Sequence, residues 1–301
     1  MLRTKGPQPG ESEKMRSMRP LIMLAALALS AEAAAQSLTA TNYAVDEPMP
    51  LPADAKLVWS DEFDGNALDP AKWGYDRTRN RGGWYNGELQ YYGQRPENVR
   101  VGNGQLIIEA RRETLNARRF PDYGGQSYTS GKIWTKGKAS WTYGYYEVRA
   151  KLPCARGTWP AIWLMPEGNY SWPDGGEIDV MEQVGSQPEV VHGTVHTALF
   201  VHSKGTQRGA ELKVPGNCDA FHNYQLEWTP DTIRIGVDGR AYMKVRDDRP
   251  GGDGAWPFHH PFYLILNLAM GGNWAAAKGM DDAALPQQML VDYVRVYQHP
   301  R

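Results

Sequence analysis

From Lys56 onward, apolar and polar positions alternate with a period of two in short runs, the pattern of strands that turn one face to a core and the other to solvent. Tyr145-Tyr146-Glu147-Val148-Arg149-Ala150-Lys151-Leu152 is a clear example. Clusters of Gly, Pro and Asn separate the runs, and the pattern predicts strands over 56–63, 105–111, 145–152, 159–165, 176–183, 190–197, 224–229, 232–237, 241–245, 261–268 and 288–297. No stretch carries the longer period of an extended amphipathic helix, and no internal repeat is present. Regular strands over one domain point to an all-β sandwich or jelly roll covering 56–298. A linker is expected over 36–55, marked by Glu47-Pro48-Met49-Pro50-Leu51-Pro52.

One predicted strand carries chemistry. Gly176-Glu177-Ile178-Asp179-Val180-Met181-Glu182 sets three carboxylates among apolar residues. Residues two apart in a strand share a face, so Glu177 and Asp179 project together while Ile178 and Val180 enter the core. Regular alternation would send Glu182 to the core side. A β-bulge at Val180-Met181 returns it to the face of the other two, and such a bulge is expected here. Two glutamates leaning together about 5–5.5 Å apart form the retaining arrangement of a glycosidase, one a nucleophile and the other an acid/base. Asp179 between them would hold one ionised and the other protonated. A solvated acidic face would show the same spacing. The surrounding Trp163, Trp172, His192 and His196 favour a site over such a face.

Composition narrows the partner. Eleven Trp and sixteen Tyr against six Phe is a bias toward rings with a polar handle, which suits sugars. Residues 1–35 hold five basic and three acidic residues, so the remainder carries 28 against 31, a net charge of −3. No basic stripe for nucleic acid is expected. Arg16 and Arg19 precede an apolar run over 21–31, and Ala33-Ala34-Ala35 offers small residues for cleavage, so 1–35 reads as an N-terminal extension and signal peptide. That run is too short to span a bilayer. A secreted or periplasmic location follows, where Cys154 and Cys218 would form a disulfide if the fold brings them together; two buried thiols are the alternative.

Several ordered blocks resemble glycoside hydrolase family 16 of the laminarinase type. They are Trp59-Ser60-Asp61-Glu62-Phe63-Asp64-Gly65, Trp84-Tyr85-Asn86-Gly87-Glu88-Leu89-Gln90-Tyr91-Tyr92 and Gly157-Thr158-Trp159-Pro160-Ala161-Ile162-Trp163-Leu164-Met165. The Glu177 run, His192-Gly193-Thr194-Val195-His196-Thr197, Gly271-Gly272-Asn273-Trp274 and Val291-Asp292-Tyr293-Val294-Arg295-Val296-Tyr297 continue the match. The resemblance implies a jelly roll of two curved antiparallel sheets with a concave substrate cleft. It implies a monomeric, secreted endo-β-glucanase acting on laminarin or mixed β-1,3-1,4-glucan, with Glu177 as nucleophile, Glu182 as acid/base and Asp179 assisting.

By the same resemblance, Trp159 and Trp163 stack on the reacting sugar, Asn86 and Lys132 contact sugar hydroxyls, and Trp84 and Trp274 wall the donor side. Lys132 stands where many relatives carry Arg, and an ammonium cannot make the same bidentate contact. His196 is expected beside Glu182 or the leaving sugar. A structural calcium on Glu62, Gly104 and Asp292 is implied, with no cofactor for catalysis. Two rivals share the fold: a glucan-binding protein without hydrolysis and a transglycosylase. The segments 113–125 and 198–208 are expected to decide which glucan is preferred. Sulfated galactans are disfavoured because no basic cluster is evident.

Overall fold

The computed structural model describes residues 43–247 and 251–299; the expected signal peptide lies outside the described residues. The strands in chain order are β1 (Ala44–Pro48), β2 (Lys56–Asp61), β3 (Gly74–Tyr75), β4 (Gln90–Tyr92), β5 (Val99–Gly102), β6 (Gln105–Arg112), β7 (Tyr128–Ser130), β8 (Lys132–Trp134) and β9 (Gly144–Lys151). They continue with β10 (Thr158–Pro166), β11 (Glu177–Glu182), β12 (Val190–His196), β13 (Arg208–Lys213), β14 (His222–Trp228), β15 (Thr232–Val237), β16 (Arg240–Arg246), β17 (Phe262–Met270) and β18 (Gln287–Gln298). All eleven strands expected from the alternation are present, with ends shifted by one or two residues.

Two sheets pack face to face, as expected of a jelly roll. The outer sheet runs β1-β16-β15-β14-β9-β18-β6-β7-β4, with β2 added to β18 and β5 to β6. The inner sheet runs β13-β12-β11-β10-β17-β8-β3. Pairing is antiparallel except between β4 and β7. Strand β1 lies inside the stretch expected as linker and pairs with β16, Pro48 taking an edge position where its missing N–H costs nothing.

The core lies between the sheets. Ile162, Leu164, Ile178, Val195, Leu264 and Leu266 of the inner sheet meet Leu106, Ile108, Val148, Leu226, Ile235 and Val296 of the outer sheet, all essentially fully buried. Each such side chain contributes about 1.5–3 kcal/mol by leaving water. All nine residues of β17 are buried. That follows from its central place between β10 and β8, with the core on one face and cleft side chains on the other. The rigid inner sheet is therefore the floor on which the site is built.

Candidate active site

Strand β11 bulges where the carboxylate spacing requires it. Against β12 the register pairs Glu177 with His196 and Asp179 with Thr194, then shifts before Glu182 pairs with His192. Against β10, Met181 faces Ile162 and Asp179 faces Trp163, which leaves Val180 as the extra residue. Val180 and Met181 are both buried, and Glu182 returns to the face of Glu177 and Asp179. One row of side chains then crosses the sheet: His192, Glu182, Ala161, Asn267 and Lys132, on β12, β11, β10, β17 and β8. Four steps of about 4.8 Å give a floor roughly 19 Å long.

The three carboxyls differ in environment. Burial, followed by the charge of Glu177, pushes Glu182 up to about 8, against the downward pull of a hydrogen bond from Trp159. Trp159 Nε1 donates to Glu182 Oε1 at 3.0 Å. Asp179 is buried and raised well above the usual carboxylate range, first by desolvation and then by its two glutamate neighbours. Its side chain interacts with Glu177, and Trp172 Nε1 donates to Glu177 Oε2. Trp172 and Asp179 thus face Glu177, while burial and the charge of Glu177 favour the protonated form of Glu182.

Aromatic rings line both ends of the carboxylate pair. At the Glu182 end, Trp274 meets Trp159 edge-on at 5.2 Å and His192 at 4.9 Å. Trp163 donates to Asn267 Oδ1 at 2.7 Å, and Asn267 donates to the Tyr92 hydroxyl at 3.1 Å. Lys132 lies between two indoles, its Nζ 4.9 Å from the Trp84 ring centre and 4.8 Å from that of Trp163. The Asp76 carboxylate anchors that ammonium at 2.9 Å. Trp84 is 8% exposed and donates to Asn80 Oδ1, so it closes the wall from within rather than standing open in a loop. Trp84 and Trp274 consequently serve different walls.

The structure corrects the place of His196. It stands opposite Glu177, with its Nε2 3.4 Å from Asp179 Oδ2, and His192 takes the position beside Glu182. The antiparallel register of β11 and β12 reverses the order of the two histidines relative to the two glutamates. Burial lowers the pKa of both rings, so both are neutral near pH 7. Two residues that sequence reasoning passed over join the site. Glu88, raised by desolvation, accepts from Gln90 at 2.8 Å and interacts with Lys132. His202, in the 198–208 loop, lies 5.2 Å from the His196 ring and 5.4 Å from Trp172. Asn86 holds a left-handed φ of 58°, followed by Gly87 at 70°, and its exposed side chain reaches Glu88. Gly272 lets the 271–274 turn approach this loop: a Cβ there would sit 3.0 Å from the Asn86 carbonyl oxygen.

Two carboxyls on one face, one of them pushed up to about 8 and both flanked by indoles, are the equipment of a glycosidase. The profile of glycosyl hydrolases family 16 matches residues 89–295. The chain belongs to glycosyl hydrolases family 16. It is 53% identical over 252 residues to a β-glucanase of Rhodothermus marinus, covering 80% of this chain and 85% of that protein. The crystal structure of SCLam, a non-specific endo-β-1,3(4)-glucanase of family 16, aligns with a TM-score of 0.83 at 52% identity, over 87% of this chain and 97% of that one. A mutant of SCLam presents a 1,3-β-D-cellobiosyl-glucose at its active site; it aligns with a TM-score of 0.83 at 53% identity, over 85% and 100% of the two chains.

Family 16 catalysis needs no cofactor. The positions named for calcium by the family resemblance, Glu62, Gly104 and Asp292, would offer backbone oxygens and the Asp292 carboxylate. Glu62 binds the Arg295 guanidinium through both oxygens at 3.1 and 2.7 Å, Asp292 pairs with Arg149 at 2.9 Å, and Gly104 occupies the turn after β5. The Asp292 carboxylate is engaged by Arg149, while the Glu62 side-chain pair with Arg295 leaves its backbone oxygen free of that guanidinium. Among the described residues, Glu177, Asp179 and His196 form a compact group whose potential ligand atoms lie within 4.8 Å of one another. Cys154 and Cys218 form a disulfide that ties the start of the β9–β10 connection to the segment before β14. No helix among the described residues is long and apolar enough to cross a membrane.

Proposed function

We propose that this family 16 member is an exported endo-β-glucanase that hydrolyses β-1,3 linkages, and β-1,4 linkages beside them, with retention of configuration. The observation that carries the reading is the split between Glu182, protonated up to about pH 8, and Glu177, faced by Trp172 and Asp179. Glu177 attacks the anomeric carbon of a sugar lying on the floor row. Glu182 gives its proton to the departing glycosidic oxygen. The glycosyl ester that forms removes the charge of Glu177, and with it one of the forces that raised Glu182. Glu182 then takes a proton from the incoming water, whose oxygen displaces Glu177 from the anomeric carbon.

Trp159 and Trp163 offer indole faces to the apolar sides of the pyranoses, and neutral His192 and His196 supply hydrogen-bonding groups at the two ends. The beta-glucanase and endo-β-1,3(4)-glucanase relatives support laminarin and mixed-linkage glucan as the substrate class. The disulfide and the leader-like residues 1–35 support export. Reducing-sugar release by residues 36–301 on laminarin, barley mixed-linkage glucan, agarose and carboxymethylcellulose tests the reading. Mixed oligosaccharides are expected from the first two substrates. Inactivity on both, with binding retained, would overturn hydrolysis in favour of a glucan-binding role.

A further inference from the structure

Beyond β3, at the edge of the inner sheet, two loops meet. One spans 76–83 and carries Arg77, Arg79 and Arg81; the other spans 113–127, between β6 and β7, and carries Arg118 and Arg119. Arg81 donates to the Pro121 carbonyl, Gln126 donates to the Asn80 carbonyl, and Asn80 Nδ2 donates to Asp122 Oδ2 at 3.1 Å. These bonds fasten the loops into one surface. Arg77 and Arg119, distant in sequence, thereby come to line one pocket, a pairing that the sequence pattern did not reveal.

Two of the acidic residues of these loops are engaged elsewhere, and the third, Asp122, faces Arg77 and leaves Arg119 without a carboxylate partner among the described residues. Asp76 is engaged by Lys132, and Glu113 by Arg95 at 2.9 Å and by Thr129. Asp122 accepts from the Tyr91 hydroxyl at 3.0 Å and from Asn80, with Arg77 at 3.7 Å. No carboxylate pairs with Arg79, Arg81, Arg118 or Arg119 among the described residues. Arg79 spreads over the exposed Tyr85 ring at 4.5 Å, and Arg119 over Phe120 at 5.6 Å.

Between the loops lies an open pocket of about 480 Å³ lined by Tyr75, Arg77, Thr78, Arg119, Phe120 and Asp122. Its lining pairs aromatic faces, which suit a pyranose ring, with a hydroxyl and a carboxylate for sugar hydroxyls. It adds two guanidinium forks, which a neutral sugar does not need. The pocket backs on the cleft. Asn80 is the partition, bonding Asp122 with its amide nitrogen and accepting from Trp84 Nε1 with its oxygen at 3.1 Å.

We propose that this pocket binds an anionic sugar unit, bearing a carboxylate or a sulfate, of the same polysaccharide whose neutral run occupies the cleft. The inference rests on the glucanase reading above and extends it: the chain prefers glucans with sparse acidic substituents. A guanidinium pair behind the cleft wall adds binding without touching the reacting sugar, so the effect falls on KM and is screened by salt.

The test compares KM on unmodified, lightly carboxymethylated and lightly sulfated laminarin, in low salt and in about 0.5 M salt, where the Debye length falls to a few ångströms. The wild type is expected to show KM several-fold lower on at least one anionic form in low salt, with the advantage lost in high salt. Arg77→Ser with Arg119→Ser should erase it. Arg119→Ser alone, at an exposed residue, should reduce it and serves if the double variant does not fold. The two anionic arms assign carboxylate or sulfate. Cleavage of unmodified laminarin with no preference for either anionic form, or a preference that survives both variants, overturns the pocket. Failure to cleave laminarin in any form instead overturns the substrate reading.

Discussion

Trp159 donates its indole N–H to Glu182 at 3.0 Å, and Glu182 nevertheless keeps its proton up to about pH 8. A donor of this kind favours the carboxylate, so burial and the Glu177 charge outweigh it. Near neutral pH the enzyme therefore holds its acid in the form that the first chemical step needs. The alkaline limb of kcat/KM on laminarin should fall with an apparent pKa near 8. In Glu177→Gln, which removes the neighbouring charge, Glu182 should titrate lower; NMR titration of the labelled carboxyl carbon reads the difference, and an unchanged value would disconnect the two residues.

The same proton has a cost in stability. The folded protein retains on Glu182 a proton that the unfolded chain, near the ordinary 4.5, has already lost, so stability falls as pH rises from about 4.5 to about 8. Asp179, also raised, adds in the same direction. Glu182→Gln should remove part of that fall, making the variant more stable than wild type at pH 8.5 by about 3 kcal/mol relative to the difference at pH 4, after discounting for the partly open face. Urea denaturation at the two pH values checks the sign.

Burial and its two glutamate neighbours push Asp179 well above the usual carboxylate range, which favours a side chain that donates toward Glu177. Asp179→Asn retains an N–H donor in the same place and should keep kcat within about tenfold of wild type, while Asp179→Ala should lose about 10²-fold or more. Equal losses in the two variants would assign the role to packing.

Lys132 and Asp76 form a nearly dry ion pair at 2.9 Å beneath Trp84 and Trp163. Lys132→Met leaves the Asp76 carboxylate buried without its cation and should destabilise the fold by about 3–5 kcal/mol. Adding Asp76→Asn should restore most of it. Thermal unfolding of the single and double variants measures the coupling.

Much of this architecture was legible in the chain. Long strands such as β9 and β10 alternate over eight or nine residues and announce themselves, and the bulge at Val180-Met181 follows from requiring three carboxylates on one face. Strands β3, β4, β7 and β8 have two or three residues, too few for any period, and exist because a neighbour pairs with them. The polar β13 is an edge strand, defined by its bonds to β12 rather than by its own pattern. His196 was misplaced because one strand's sequence says nothing of its register against the next. Glu88 lies in a loop beside residues that were singled out, and only the approach of Lys132 marks it. Arg77 and Arg119 meet through loop packing, which no local pattern encodes.

With Glu177 as nucleophile and Glu182 as acid/base, hydrolysis passes through a glycosyl ester and retains the anomeric configuration. Proton NMR of the products in the first minutes of laminari-oligosaccharide cleavage, before mutarotation, should show the β-anomer released first, with the α-anomer growing in later. Initial release of the α-anomer would mean direct attack by water on the glycosidic bond and would rule out Glu177 as a nucleophile.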